Sequence, residues 1–238
     1  MSNNYFQFKQ FKIQQDKCAM KVCTDACLFG AWIADNLKNK NCSDVLDIGA
    51  GTGLLSLMLA QKITAHIDAA EIDSNAFLQA KENFENSNWK ERLHIFNTDI
   101  CDLKPGKKYD FIISNPPFFE NDLKSPHQNK NAAKHDTELN LETLSEIVKK
   151  LLLPAGHFAV LLPYHRTSYF ISEAKQQGLY CNETVLVKQT AGHSYFRSML
   201  LFSVNKTITV EKKISIKGAE GNYTEAFSSL LKDYYLYL

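Results

Sequence analysis

The chain has 238 residues, 45% of them apolar, and a formal net charge of only +1. That length and composition suit one large domain with a substantial core, and near-neutrality excludes a global field for nucleic acid, so any such partner must be held by local patches. No apolar run approaches a membrane span, the polar opening MSNNYFQFKQ lacks the features of a secretion signal, and six cysteines without such a signal read as reduced thiols in the cytoplasm. Cys18, Cys23 and Cys27 cluster, but not with the C-x-x-C spacing of a zinc knuckle, and the histidines form no H-x-x-x-H pair, so no metal is expected.

Along the chain, strands alternate with helices. DVLDIG (44–49) is a short apolar strand ending at glycine, and Leu54 to Ala60 is apolar nearly all round, as the start of a helix buried against a sheet should be. HIDAAEID (66–73) predicts a second strand, followed by a helix capped by Ser74 with Phe77, Ala80 and Phe84 on one face. LHIFN (93–97) and YDFIIS (109–114) are the third and fourth strands, the latter too apolar to have a wet face. Residues 139–152 form an amphipathic helix stopped by Pro154 and Gly156, and HFAVLL (157–162) is a fifth strand. A helix over 166–177 ends at Gly178, and two β-rich runs follow at 179–187 and 197–204. This alternation predicts an α/β fold with a doubly wound, parallel sheet. The first 25 residues, the polar loop 120–137 and the tail after Asn205 stand outside the pattern.

Two motifs carry chemistry. LDIGAGTG (46–53) places Gly49, Gly51 and Gly53 between a strand and an apolar helix, where bare main chain lets a ligand lie close. The spacing is G-x-G-x-G, not the G-x-G-x-x-G of dinucleotide binders, which disfavours a dehydrogenase. Glu71, ending the second strand, suits the two hydroxyls of a ribose, and Asp47 suits a cation such as an amino-acid ammonium. Asp99, after the third strand, suits an adenine amine, although a turn-forming role fits it equally. Ribose plus an amino-acid end, with no pyrophosphate, describes S-adenosyl-L-methionine better than NAD.

The second motif, Asn115, Pro116, Pro117 and Phe118, leaves the fourth strand beside that crevice. The Asn115 side-chain oxygen and the Pro116 carbonyl can accept from one planar NH2 group, Pro117 stiffens the exit, and Phe118 can stack on a flat base. As a plain Asx-type turn the same residues would need no ligand at all. A protein that keeps the fold without turnover is disfavoured by the intact glycines, Glu71 and Asn115.

Together these motifs resemble the class I amino-methyltransferases. FQFKQFKIQQDKCAMKVCTDACLFGAW (6–32), LDIGAGTGLLSLMLAQ, DFIISNPPF and the closing GNYTEAFSSLLKDYYLYL are similar to the bacterial tRNA1(Val) (adenine(37)-N6)-methyltransferases. The resemblance runs from about residue 6 to the C-terminus. It implies a Rossmann-like, seven-stranded, mostly parallel sheet with helices on both faces and an antiparallel C-terminal strand. Residues 1–238 would form a single domain, with 1–40 as an extension over the cofactor and substrate side. It also implies methyl transfer to N6 of the adenine beside the anticodon of a valine tRNA.

Phe118 departs from the tyrosine more usual in adenine methyltransferases, which keeps stacking and loses a hydroxyl. N-P-P-F also suits guanine-N2 methylation of ribosomal RNA, and an amide amine suits glutamine-N5 methylation of a protein. The terminal blocks, not these four residues, decide for adenine in tRNA. Lys9, Lys12, Lys17 and Lys21, with Lys124, Lys130 and Lys134 in the polar loop, are candidates for phosphate contacts. Thr24 and Asp25 are candidates to touch the cofactor or to cap a helix. The aromatics Tyr234, Tyr235 and Tyr237 are expected to pack rather than to stack on bases.

Overall fold

The computed structural model describes residues 3–18, 20–117 and 140–238. Its central feature is an eight-stranded sheet, built from β3 (Asp44–Ile48), β4 (His66–Glu71), β5 (Leu93–Asn97), β6 (Tyr109–Ser114), β7 (Leu152–Pro163), β8 (Tyr180–Thr190), β9 (Tyr195–Ser203) and β10 (Val210–Lys217). The spatial order is β10-β8-β9-β7-β6-β3-β4-β5. Every neighbouring pair is parallel except those made by β9, which runs antiparallel to both β7 and β8.

The sheet therefore has eight strands where seven were expected, and the last strand is parallel to its neighbour. The additional strand, β10, lies in the segment read as a tail. Its VEKKISIK sequence offers only Ile214 and Ile216 to the core, too short an alternation to mark a strand. The reversed strand is β9, the last but one.

Successive side chains of a strand face opposite sides of a sheet, and the central strands divide accordingly. Phe111 and Ile113 of β6 join Val45, Ile67 and Leu161 in one apolar cluster, under α1 (Thr24–Leu37) and α2 (Leu54–Ala60). Ile112 joins Leu46, Ile48, Phe158 and Val160 in the other, under α4 (Leu141–Leu151) and α5 (Thr167–Gln176). Burial on both faces explains why β3 and β6 read as continuous apolar runs. Helix α3 (Ser74–Glu85) is capped by Asp73, whose carboxylate accepts from the Ala76 N–H at 2.8 Å, rather than by Ser74, one residue later. Strand β7 starts directly after α4, so Pro154 and Gly156 lie inside the strand and not in a connecting turn.

The two chain ends close over the first cluster. An N-terminal hairpin, β1 (Tyr5–Gln7) and β2 (Lys12–Gln14), buries Phe8, Phe11 and Ile13 there, with the Phe8 and Phe11 rings stacked at 4.5 Å. The Lys9 N–H donates to the Tyr234 carbonyl at 2.8 Å. Helix α6 (Glu225–Leu231) leads to Tyr234, which is 1% exposed and donates its hydroxyl to the Met58 carbonyl on α2 at 2.9 Å. Tyr235 is also buried, whereas Tyr237 is exposed. No described helix is long and apolar enough to cross a membrane.

Replacing Tyr234 with alanine removes a buried ring and orphans a carbonyl, so urea unfolding should show a loss of about 3–5 kcal/mol. Tyr234→Phe, which keeps the ring, should cost only about 1 kcal/mol. Equal losses for the two variants would contradict this packing role.

Candidate active site

The chain visits β3, β4 and β5 outward in one direction, then crosses back to place β6 on the other side of β3. Between β3 and β6 the order reverses, which is where open α/β sheets leave a crevice at their carboxyl edge. The register pairs Ile48 with Ser114, and the buried Ser114 hydroxyl donates to the Ile48 carbonyl at 2.8 Å. The glycine loop and the Asn115 turn therefore leave adjacent strands at the same level.

The glycine loop hooks over the end of β4. Gly49 and Ala50 both donate their N–H groups to the Ala70 carbonyl, at 2.9 and 3.2 Å. Gly49 and Gly51 have φ of +73° and +56°, and a Cβ on either would meet no atom within 4 Å. Backbone conformation, not crowding, requires glycine there, and the main chain is bare on its open side. Gly53, with φ of +79°, is required twice over, since a Cβ would fall 2.5 Å from the Phe84 ring.

Three carboxylates surround this loop. Glu71 is nearly buried and accepts from the Gly51 N–H at 2.7 Å and the Asp73 N–H at 2.9 Å, bracing the loop against β4. Each of its oxygens keeps a further acceptor site. Asp47 is completely buried, and its Oδ2 accepts from the Ser56 hydroxyl at 2.7 Å while Oδ1 has no partner. Burial pushes its pKa up to about 6, with the Glu71 charge adding to the rise and Ser56 opposing it. Asp99 follows β5 at the same edge, half-buried, and its Oδ1 accepts from the Cys101 N–H at 2.9 Å. That bond is the turn-forming role.

Asn115 is half-buried, yet its Oδ1 is sealed from solvent without a hydrogen-bond donor. Pro116 is buried and Pro117 exposed, while Phe118 lies outside the described residues, as do Lys124, Lys130 and Lys134. A buried acceptor with no donor is costly, about 1–3 kcal/mol, unless a ligand supplies one. Among the described residues no cluster of three or more His, Cys, Asp or Glu side chains is placed to hold a metal.

Two positions on α3 escaped the sequence reading. Asn83, 2% exposed, donates through Nδ2 to the Thr52 carbonyl in the glycine loop at 2.9 Å and to the Gln14 carbonyl at 3.0 Å. Its Oδ1 accepts from the Gln14 N–H at 2.8 Å. Fully buried Gln79, one turn earlier, accepts from the Lys17 N–H at 2.9 Å. Polar residues at i and i+4 on an otherwise apolar face were the available signal. They fasten the N-terminal segment to the glycine loop.

The N-terminal lysines mostly turn to the protein itself. Lys9 Nζ donates to the Lys232 carbonyl at 2.6 Å, Lys17 pairs with Glu82 at 2.7 Å, and Lys12 lies over the Tyr5 ring at 4.9 Å. Thr24 opens α1, which has no side-chain cap, and Asp25 in its first turn accepts from Arg197 Nε on β9 at 2.7 Å.

Comparison with known proteins agrees with this geometry. The family model of the methyltransferase small domain matches residues 30–136. The fold is shared with an Agrobacterium tumefaciens protein described as a predicted O-methyltransferase, at a TM-score of 0.63 and 14% identity, over 88% of this chain and 96% of that one. It is shared also with the glycopeptide N-methyltransferase MtfA in complex with S-adenosyl-L-methionine, at a TM-score of 0.57 and 10% identity, over 75% and 94% of the two chains. Fold and crevice together define a class I methyltransferase. The tRNA1(Val) (adenine(37)-N6)-methyltransferase of Dyadobacter fermentans is 42% identical over 98% of both chains. The chain belongs to the tRNA1(Val) (adenine(37)-N6)-methyltransferase family.

The buried Asp47 carboxylate has a measurable signature. A folded-state pKa of about 6, above the ordinary carboxylate value, means the folded protein holds a proton that the unfolded chain has lost between about pH 4 and 6. Stability should therefore fall as pH rises through that window, by about 3 kcal/mol. Asp47→Asn, which does not titrate, should gain by about that amount relative to the parent between pH 4 and pH 7 in urea unfolding. A pH-independent difference between the two proteins would contradict the assignment.

Proposed function

We propose that the chain transfers a methyl group from S-adenosyl-L-methionine to the exocyclic N6 of adenine 37, beside the anticodon, in tRNA1(Val). The observation that carries this reading is the orphaned Asn115 Oδ1, held at the crevice mouth beside a bare glycine cradle. Family membership favours adenine in tRNA over guanine in ribosomal RNA and over a protein glutamine. The name borne by the relative from Dyadobacter fermentans supports the valine tRNA. A tRNA substrate also supports a cytoplasmic location.

The residues present fit the cofactor. Gly49 and Gly51 offer main chain that nothing crowds, Gly53 turns the chain closely past Phe84 into α2, and Glu71 has acceptor sites left for two ribose hydroxyls. Asp47 Oδ1 lacks the donor that an ammonium would supply. Asp99 is assigned to the adenine of the cofactor. When bound, S-adenosyl-L-methionine supplies an electrophilic sulfonium methyl.

Asn115 Oδ1 and the Pro116 carbonyl accept the two hydrogens of the target amine. Two acceptors favour a pyramidal nitrogen whose lone pair is released from ring conjugation as attack begins. Pro117 stiffens the turn, and Phe118 stacks on the base to hold it in line. No strong base is needed, because the nitrogen sheds its proton to water only after the new bond forms. An adenine in the anticodon loop is unpaired, so extruding it costs less than flipping a duplex base.

We assign residues 1–40 to an extension over the cofactor side of a single domain spanning 1–238. The shared grip of Asn83 on Gln14 and Thr52 supports this. So does Cys18, whose thiol is pushed up to about 11 by burial and by the nearby Glu71 and Asp73 charges.

Nucleoside mass spectrometry of tRNA and ribosomal RNA, from cells with and without the gene, tests the function. Deletion should remove N6-methyladenosine from position 37 of tRNA1(Val) alone, and the parent gene should restore it. The Asn115→Ala gene should not restore it, although the purified variant binds S-adenosyl-L-methionine within about twofold of the parent. Loss of N2-methylguanosine from ribosomal RNA would sink the adenine reading, and restoration by Asn115→Ala would sink the role given to that residue.

A further inference from the structure

The sheet does not end level with the crevice. Val160 of β7 is in register with Ser114, yet β7 continues to Pro163, where it pairs with Arg197 of β9. Four residues beyond the Ser114 level, at about 3.3 Å per residue, the chain stands roughly 13 Å further out. At that height Tyr164 leaves β7, and Tyr195 enters β9 beside it.

Their rings lie 5.4 Å apart at an interplanar angle of 46°. Lys188, the β8 partner of Tyr195, places its ammonium 4.7 Å above the Tyr195 ring and donates to the Ala191 carbonyl at 3.4 Å. Neither ring is counted in either apolar cluster, and Tyr164 is 43% exposed. The Thr190 hydroxyl and His193 Nδ1, 2.7 Å apart, close the turn behind them. Two rings tilted against each other, one of them beneath a cation, at the carboxyl end of β7 add nothing to the apolar clusters.

Unpaired RNA is recognised by stacking its bases on aromatic side chains, with cations drawing in the phosphates. Resting on the tRNA reading given above, we propose that Tyr164, Tyr195 and Lys188 form a platform for the unpaired nucleotides flanking the target in the anticodon loop. The platform stands on the strand next to the Asn115 turn, a few nucleotides away. It would hold the loop while one base enters the crevice.

The test uses the full chain, S-adenosyl-L-methionine and a fluorescently labelled anticodon stem-loop RNA of tRNA1(Val). Tyr164→Ala and Tyr195→Ala should each weaken RNA binding about tenfold, the double variant more, and both phenylalanine variants should bind like the parent. Affinity for S-adenosyl-L-methionine and the rate at saturating RNA should not change. Lys188→Gln should weaken RNA binding and flatten its salt dependence. Parental RNA affinity in the double alanine variant would overturn the platform, as would a parallel loss of cofactor binding, which marks a structural role. A parent protein that methylates no tRNA would instead overturn the functional reading on which the platform rests.

Discussion

One parallel pairing organises the site: β3 against β6, in the register that sets Ile48 beside Ser114. The Ser114 hydroxyl on the Ile48 carbonyl closes the last rung with a side chain, where the ladder has run out of partners. Two loops of unlike chemistry then leave the sheet side by side. The glycine loop departs over β4, toward Glu71, and the Asn115 turn leaves the end of β6, between β3 and β7. A slip of one residue in this register would turn the side chains of one strand to the wrong faces relative to the other and carry the two loops out of level. Burial of both faces of β3 and β6 makes such a slip very costly.

The polar atoms of the crevice fall into two kinds. Glu71 and Asp99 have donors of their own in the folded chain, and they shape the loops before any ligand arrives. Asp47 Oδ1 and Asn115 Oδ1 have none, although both are sealed from water. Each is left with a desolvation cost that a packed protein normally avoids. The two unsatisfied acceptors stand at the ends of the two central strands. Their arrangement suits one cationic and one neutral donor group, brought by two different ligands. In the function proposed above, these same two atoms accept from the cofactor ammonium and from the target amine.

The central strands were legible because full burial leaves a plain apolar run that ends in glycine or asparagine. The predicted starts of β3 and α2 and all of β5 agree with the structure residue for residue. The edges were harder. Strand β10 carries charge at three of its first four positions, Glu211, Lys212 and Lys213, and its two inward isoleucines do not make a pattern. Ser74 and Asp73 are adjacent capping residues, and only geometry separates them. The N-terminal hairpin is short, and its purpose depends on Asn83 and Gln79, whose partners lie more than 60 residues away in sequence. Lysine side chains near the N-terminus could be counted from sequence, but not the partners they had already taken. The candidate site divides in the same way: residue types and spacing identified the crevice, whereas the Tyr164 and Tyr195 pair exists only through the register of β7 with β9.

Asn115 is proposed above as an acceptor for the target amine. A crystal structure of the full chain with an anticodon stem-loop of tRNA1(Val) and a non-reactive analogue of S-adenosyl-L-methionine tests it most directly. The adenine N6 should lie about 2.7–3.1 Å from both Asn115 Oδ1 and the Pro116 carbonyl oxygen. An adenine seated in the crevice with Asn115 Oδ1 still lacking a donor would contradict the account.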